Sequence, residues 1–160
     1  MNDVEDAVER FKGGCACSQA ILSVYGPRFG LDEDRAVRVA AGFAGGMRMA
    51  GTCGAVTGAF MALGLAHCGE DCRAIDGRRA AYAAVQSFAE AFRRRNGSLS
   101  CGELLGCDIS TPEGFRTAVE KGLFRTRCVE LVRDAAALLG GMLPAAAGGE
   151  TPGARAGEIP

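Results

Sequence analysis

Histidine is almost missing from this chain: His67 stands alone among 160 residues, with no second histidine and no hydrolytic constellation. Catalysis by anything other than sulfur therefore has little to work with. An excess of charge of either sign is missing as well. A net charge of −1 exerts no overall pull toward nucleic acid or an anionic membrane. The single basic run, Arg93-Arg94-Arg95, precedes Asn96-Gly97, where cations in the last turn of a helix offset its dipole. Long hydrophobic runs are absent too. The most apolar stretch, Cys53 to Leu65, covers about 13 residues where a membrane span needs roughly 20, so no membrane insertion is expected. Residues 1–10 are acidic and amphipathic, without the basic and then apolar regions of a secretory signal, and the expected compartment is the cytoplasm.

The familiar cysteine and glycine motifs are missing in their turn. There is no paired C-x-x-C of a zinc ribbon, no C-x-x-C-x-x-C ferredoxin run, no C-x-x-C-H for covalent haem and no C-x-x-C beside a βαβ pattern for a thioredoxin site. Gly42 to Gly51 is rich in glycine but lacks G-K-[ST] and follows no strand, so it reads as a close turn between packed helices and not as a phosphate loop. What the chain does have is eight cysteines. A chain of this length buries a core without covalent staples. In a reducing compartment such cysteines read as metal-binding, catalytic or redox-sensing and not as permanent disulfides.

Hydrophobic periodicity predicts helices nearly throughout, with no period-2 strand and no repeat. Val4, Ala7, Val8 and Phe11 form one inward face that Gly13-Gly14 ends; Cys17, Ala20, Ile21 and Val24 form the next. A third helix opens on the N-cap Asp32 and carries Val37, Ala40, Ala41 and Ala44 up to Gly45-Gly46. The segment from Cys53 is apolar on nearly every side, which marks a central buried helix, and its Gly54, Gly58 and Ala62 stripe admits close neighbours. The longest helix runs from about Asp76 to Arg95, with Ala80, Ala84, Phe88, Ala91 and Phe92 inward and Gly97 as terminator. Ser100 and Glu103 match a capping box, Thr111-Pro112-Glu113 opens another helix, and a last one from about Arg127 turns Cys128, Leu131, Val132, Ala135, Leu138, Leu139 and Met142 inward. The expected fold is all-α: a compact bundle around the small-residue-rich helix, one domain over residues 1–143, then a disordered Ala/Gly/Pro tail over 144–160.

Four cysteines share a local setting. Cys53 follows Thr52, a candidate N-cap, Cys101 follows Ser100, Cys128 lies two residues after Thr126, and Cys17 follows Gly13-Gly14, so each sits near a helix start. Unpaired N–H groups and the positive dipole end favour thiolate there, the form that attacks disulfides and binds metals, and Cys101, placed at a helix N-terminus by the Ser100 to Glu103 capping box, is expected to be the most reactive thiol. The bland alternative is four small buried hydrophobes.

The order Cys17-Ser-Gln-Ala, Ala41-Gly-Phe-Ala-Gly-Gly-Met47, Cys53-Gly-Ala-Val-Thr-Gly58-Ala, Asn96-Gly-Ser98, Cys101-Gly-Glu-Leu-Leu-Gly106, Asp108, Ser110-Thr-Pro-Glu-Gly114 and Cys128 resembles the C-GCAxxG-C-C family, which is named for redox activity. The resemblance implies a helical protein whose four signature cysteines are Cys17, Cys53, Cys101 and Cys128; a similar domain accompanies haem and iron–sulfur centres in split-Soret-type cytochromes. Three readings follow for those four side chains. They ligate an iron–sulfur cluster for electron transfer or redox sensing, they cycle catalytically between dithiol and disulfide as an oxidoreductase or sensor without metal, or they hold structural zinc. The cluster is the leading expectation, and convergence of at least three of the four on one site is its structural requirement. Electron donor and acceptor are not legible, and the small-residue stripes suit a homodimer as well as an internal core. Cys15, Cys68, Cys72 and Cys107 fall outside the signature as extra ligands or resolving thiols, while His67, beside Cys68, reads as a solvated helix end.

Overall fold

The computed structural model describes residues 1–144. They form eight α-helices: α1 (Asp3–Lys12), α2 (Cys17–Tyr25), α3 (Glu33–Ala40), α4 (Gly54–His67), α5 (Ile75–Asn96), α6 (Cys101–Leu105), α7 (Pro112–Glu120) and α8 (Arg127–Met142). Short 3-10 turns follow α2 and α3. Extended pairing among the described residues is limited to one antiparallel bridge, Thr52 with Ser100. The all-α expectation therefore holds, and no described helix is long and apolar enough to cross a membrane. The expected tail lies outside the described residues from 145 onward.

The centre is α4, packed against α2, α5 and α8. Eight of its side chains or glycines are buried, from Gly54 through Leu63, as its apolar circumference requires. Close approach is literal at Gly58: a Cβ there would lie 2.8 Å from the Ser18 carbonyl oxygen and 3.0 Å from the Ile21 Cβ, so α2 rests on the α4 backbone. Hydrogen bonds then fix the neighbours. The Ser18 hydroxyl donates to the Ala40 carbonyl (2.7 Å) and the Gln19 amide to the Val37 carbonyl (3.0 Å), tying α3 to α2. The buried Tyr25 hydroxyl donates to the Ala136 carbonyl (2.9 Å), tying α2 to α8.

Two helices depart from expectation. Asp32 caps α3 as predicted, accepting from the Arg35 N–H at 3.0 Å, but the helix stops at Ala40, and Ala41 to Phe43 form an exposed 3-10 turn. In α5 the inward residue near the start is Ala81, not the exposed Ala80. Two turns back from the buried Phe88 is seven residues, which lands on Ala81; steps of four drift off the face. Gly97 ends α5 in the left-handed conformation (φ 90°), as expected.

The buried side chains fall into two clusters. The larger joins α1, α2, α4, α5 and α8, with Phe60 edge-on to Phe88 and Phe88 stacked on Phe92, both at centroid distances of 6.1 Å. The smaller holds Cys101, Leu105, Ile109 and Ala118, with Cys107, Leu123, Phe124 and Cys128 against it.

Candidate functional site, a cavity ringed by four cysteines

At the seam between the two clusters lies a cavity of about 320 Å³. Cys17, Cys53, Cys101 and Cys128 all line it, so the four cysteines brought together from distant helices meet at one place. Apolar side chains, among them Phe11, Ile109, Phe124 and Leu131, complete the wall, with Arg48 as the one charged group.

Each sulfur is set by a different local device. Cys17 is the first residue of α2, after an extended Ala16 whose N–H donates to the Gln19 side chain at 2.8 Å. Cys53 is the N-cap of α4 itself; Thr52, expected to cap it, is instead in the bridge with Ser100. That bridge binds Cys53 to Cys101: the Cys53 N–H donates to the Leu99 carbonyl and the Cys101 N–H to the Gly51 carbonyl, both at 2.7 Å. Cys101 opens α6 after Ser100, whose hydroxyl accepts from the Glu103 N–H at 3.3 Å. The predicted capping box closes only through a third residue. Ser98 takes the Ser100 N–H (3.0 Å) on its hydroxyl and donates that hydroxyl to the Glu103 carboxylate. Cys128 is second in α8, its N–H donating to the Leu123 carbonyl at 2.9 Å; Thr126 makes no side-chain cap there.

Glycine makes the close quarters possible. A Cβ at Gly54 would collide with the Cys17 sulfur and come within 2.9 Å of the Ala44 Cα. One at Gly46 would lie 2.8 Å from the Cys101 Cβ. The Gly42–Gly51 segment does turn closely between helices, as expected, but with more strain than its glycines alone require. Met47, Arg48 and Ala50 all have φ near +56°, a conformation costing roughly 1–2 kcal/mol for a residue with a Cβ. The turn carries Arg48 to the cavity, where its guanidinium sits 5.8 Å over the Phe115 ring. Neither Arg48 nor Phe115 was predicted as a site residue; charge inside a glycine-rich turn was the one available signal.

Helix starts were expected to favour thiolate, and burial reverses this. Cys53 and Cys101 are only 5% and 6% exposed. Desolvation, with the neighbouring Cys17 next, pushes the Cys53 thiol far up, although the N–H groups of Ala55 and Val56 pull the other way. Desolvation and the same neighbour push Cys101 to about 11, against the opposing charge of Arg48, and Cys128 to about 12. Cys101 was expected to be the most reactive thiol; its burial and raised pKa make it a slow one.

A pH dependence follows for the metal-free protein. Because the folded pKa values of Cys101 and Cys128 lie above the ordinary value of 9, the folded state holds protons that the unfolded chain releases. Their contribution to stability is fully present below pH 9 and is lost as pH rises toward about 12. Urea midpoints measured on reduced, metal-free protein should fall between pH 8.5 and 10.5, about two units, and the fall should shrink when both residues are alanine.

The other cysteines do not line this cavity, although Cys107 lies near enough to Cys101 and Cys128 to help push both thiols up. Cys15 lines an adjoining cavity with Lys12, Phe124 and Arg125, and Cys107 packs on the smaller cluster. Cys68 and Cys72, expected as extra ligands or a resolving thiol, are joined by a disulfide (Cα–Cα 5.6 Å) at the opposite end of α4. His67 Nε2 is buried and without a hydrogen-bond partner among the described residues, which overturns its reading as a solvated helix end. No group of three His, Cys, Asp or Glu side chains among the described residues is close enough to hold a single metal ion.

No curated protein and no solved structure matches the chain. A family model described as Putative redox-active protein (C_GCAxxG_C_C) matches residues 15–142, which include all four cavity cysteines. Where that label writes Gly-Cys-Ala-x-x-Gly, this chain reads Cys53-Gly-Ala-Val-Thr-Gly58, an order that puts sulfur on the N-cap and leaves Gly54 bare beside Cys17. Matched over most of its length, the chain belongs to this redox-active family.

Proposed function

We propose that the protein carries or senses electrons through an iron–sulfur cluster held by Cys17, Cys53, Cys101 and Cys128. The observation that carries this reading is the convergence of these four side chains on one cavity of about 320 Å³. Four thiolates match the ligand count of such clusters. Zinc bound by four thiolates draws them to about 2.3 Å from one centre, a tighter gathering than the described side chains make. Free thiols at about 11 and 12 are almost wholly protonated at neutral pH, which works against dithiol exchange as the resting chemistry. A cationic iron centre supplies the charge that lets buried sulfurs ionise.

When bound, such a group accepts and returns one electron. The chain's own part is to tune and shelter it. Arg48 and the N–H groups at the start of α4 place positive charge toward the sulfurs, and Ile109, Phe124 and Leu131 keep water from them. Protein made with added iron and purified without oxygen should be coloured and contain iron and acid-labile sulfide in equal amounts. Alanine at any one of the four cysteines should remove most of both. Colourless protein without iron, its four cysteines paired as disulfides or bound to zinc, would overturn the reading.

A further inference from the structure

The disulfide at the far end of α4 is separate from this chemistry. Cys53 caps the start of α4 and Cys68 its end, with the 14 residues of the helix between them. At 1.5 Å per residue that is about 20 Å, whereas two cysteines exchanging a disulfide need Cα atoms within about 7 Å. The Cys68–Cys72 disulfide therefore does not accept electrons by thiol exchange from the four-cysteine cavity.

The bond is placed for attack from outside. Cys68 is half-buried as the C-cap of α4, its N–H on the Gly64 carbonyl (3.0 Å), while Cys72 is exposed in the loop leading to α5. That loop is held whatever the state of the sulfurs. The Gly69 N–H donates to the Gly77 carbonyl at 2.8 Å and the Ala74 N–H to the Asp71 carbonyl at 3.1 Å, so the two cysteines stay near one another when reduced. Both cysteines line a groove of about 510 Å³ whose other side chains are apolar, Leu22, Leu31, Val39, Met61 and Leu65, with Gly64 between. Val39 and Leu65 remain 54% and 40% exposed. A small hydrophilic thiol gains nothing from such walls; a protein surface carrying its own thiols gains the burial of both.

We propose that Cys68–Cys72 is a second, two-electron redox centre, independent of the cavity, whose substrate is a protein dithiol docking on this groove. One partner thiolate attacks the exposed Cys72 sulfur; the Cys68–Cys72 bond breaks, and Cys68 leaves as thiolate and takes up a proton. The partner's second thiol then gives up its proton and attacks its own sulfur in the mixed disulfide, releasing Cys72, which is protonated in turn. The partner dithiol ends as a disulfide, two electrons poorer, and Cys68 and Cys72 end as thiols.

The test uses the full chain with thioredoxin as the protein dithiol and dithiothreitol as the small one, followed by alkylation and peptide mapping. Thioredoxin should reduce Cys68–Cys72 at least about tenfold faster than dithiothreitol at equal thiolate concentration, the gain expected from burying a leucine-sized contact. Labels should appear on Cys68 and Cys72 together, with the visible absorption of iron-loaded protein unchanged. The Val39→Asp/Leu65→Asp variant, altered at two exposed positions, should lose that advantage and react with dithiothreitol as before. The proposal is overturned if protein purified without reductant has both cysteines as thiols, if thioredoxin is no faster, if the variant slows both reagents or neither, or if the cavity's absorption falls in step with reduction. Colourless protein with the Cys68–Cys72 result intact would remove the cluster reading alone.

Discussion

A single methyl group, added by Gly54→Ala, should strip the protein of the proposed iron–sulfur cluster while leaving the fold standing. The new Cβ would meet two neighbours of different kinds: the Ala44 Cα at 2.9 Å, which is backbone and does not yield, and the Cys17 sulfur, a side-chain end that does. Cys17 therefore rotates away and the ring of four sulfurs loses a member. The helix itself suffers little, because alanine recovers up to about 1 kcal/mol of propensity against about 1–3 kcal/mol of crowding. Iron and sulfide content should fall several-fold with the melting temperature of the metal-free protein within a few degrees of the parent's. Unchanged iron content would show that Cys17 is not a ligand.

Phe88→Ala should do the reverse. Phe88 is fully buried in α5, its ring 6.1 Å from those of both Phe60 and Phe92, and none of these three rings lines the cavity. Truncating such a side chain costs about 3–5 kcal/mol from lost transfer energy and the void left behind, a large part of a stability of about 5–15 kcal/mol. The melting temperature should drop by about 10 °C, while whatever protein remains folded should load iron like the parent. A small shift in melting would mean that the aromatic stack collapses onto the gap.

Periodicity alone located nearly all the helices, because an apolar stripe at 3.6 residues per turn has one physical meaning when it continues for three turns. It failed where that signal thins. Alanine does not distinguish inside from outside by itself, so Ala80 was chosen over Ala81 until Phe88 set the phase. The gathering of Cys17, Cys53, Cys101 and Cys128 was legible because each opens a helix that must pack. Their protonation was not, since the local dipole is written in sequence and the depth of burial is not. Thr52 looked like a cap because threonine before a helix usually is one; its pairing with Ser100 depends on a residue 48 positions away. The Cys68–Cys72 bond was hidden for a different reason: the compartment argument weighs against disulfides in general and says nothing of a loop that brings two sulfurs side by side.

The wide spacing of the four cavity cysteines along the chain has a consequence for the unfolded state. A group bonded to all of them knots the polypeptide into three successive loops of about 36, 48 and 27 residues, each removing about 4 kcal/mol of chain entropy from the denatured ensemble. If the proposed cluster is that group, its oxidative loss would untie the chain, and a protease would register the loss as the difference between a cross-linked coil and a free one.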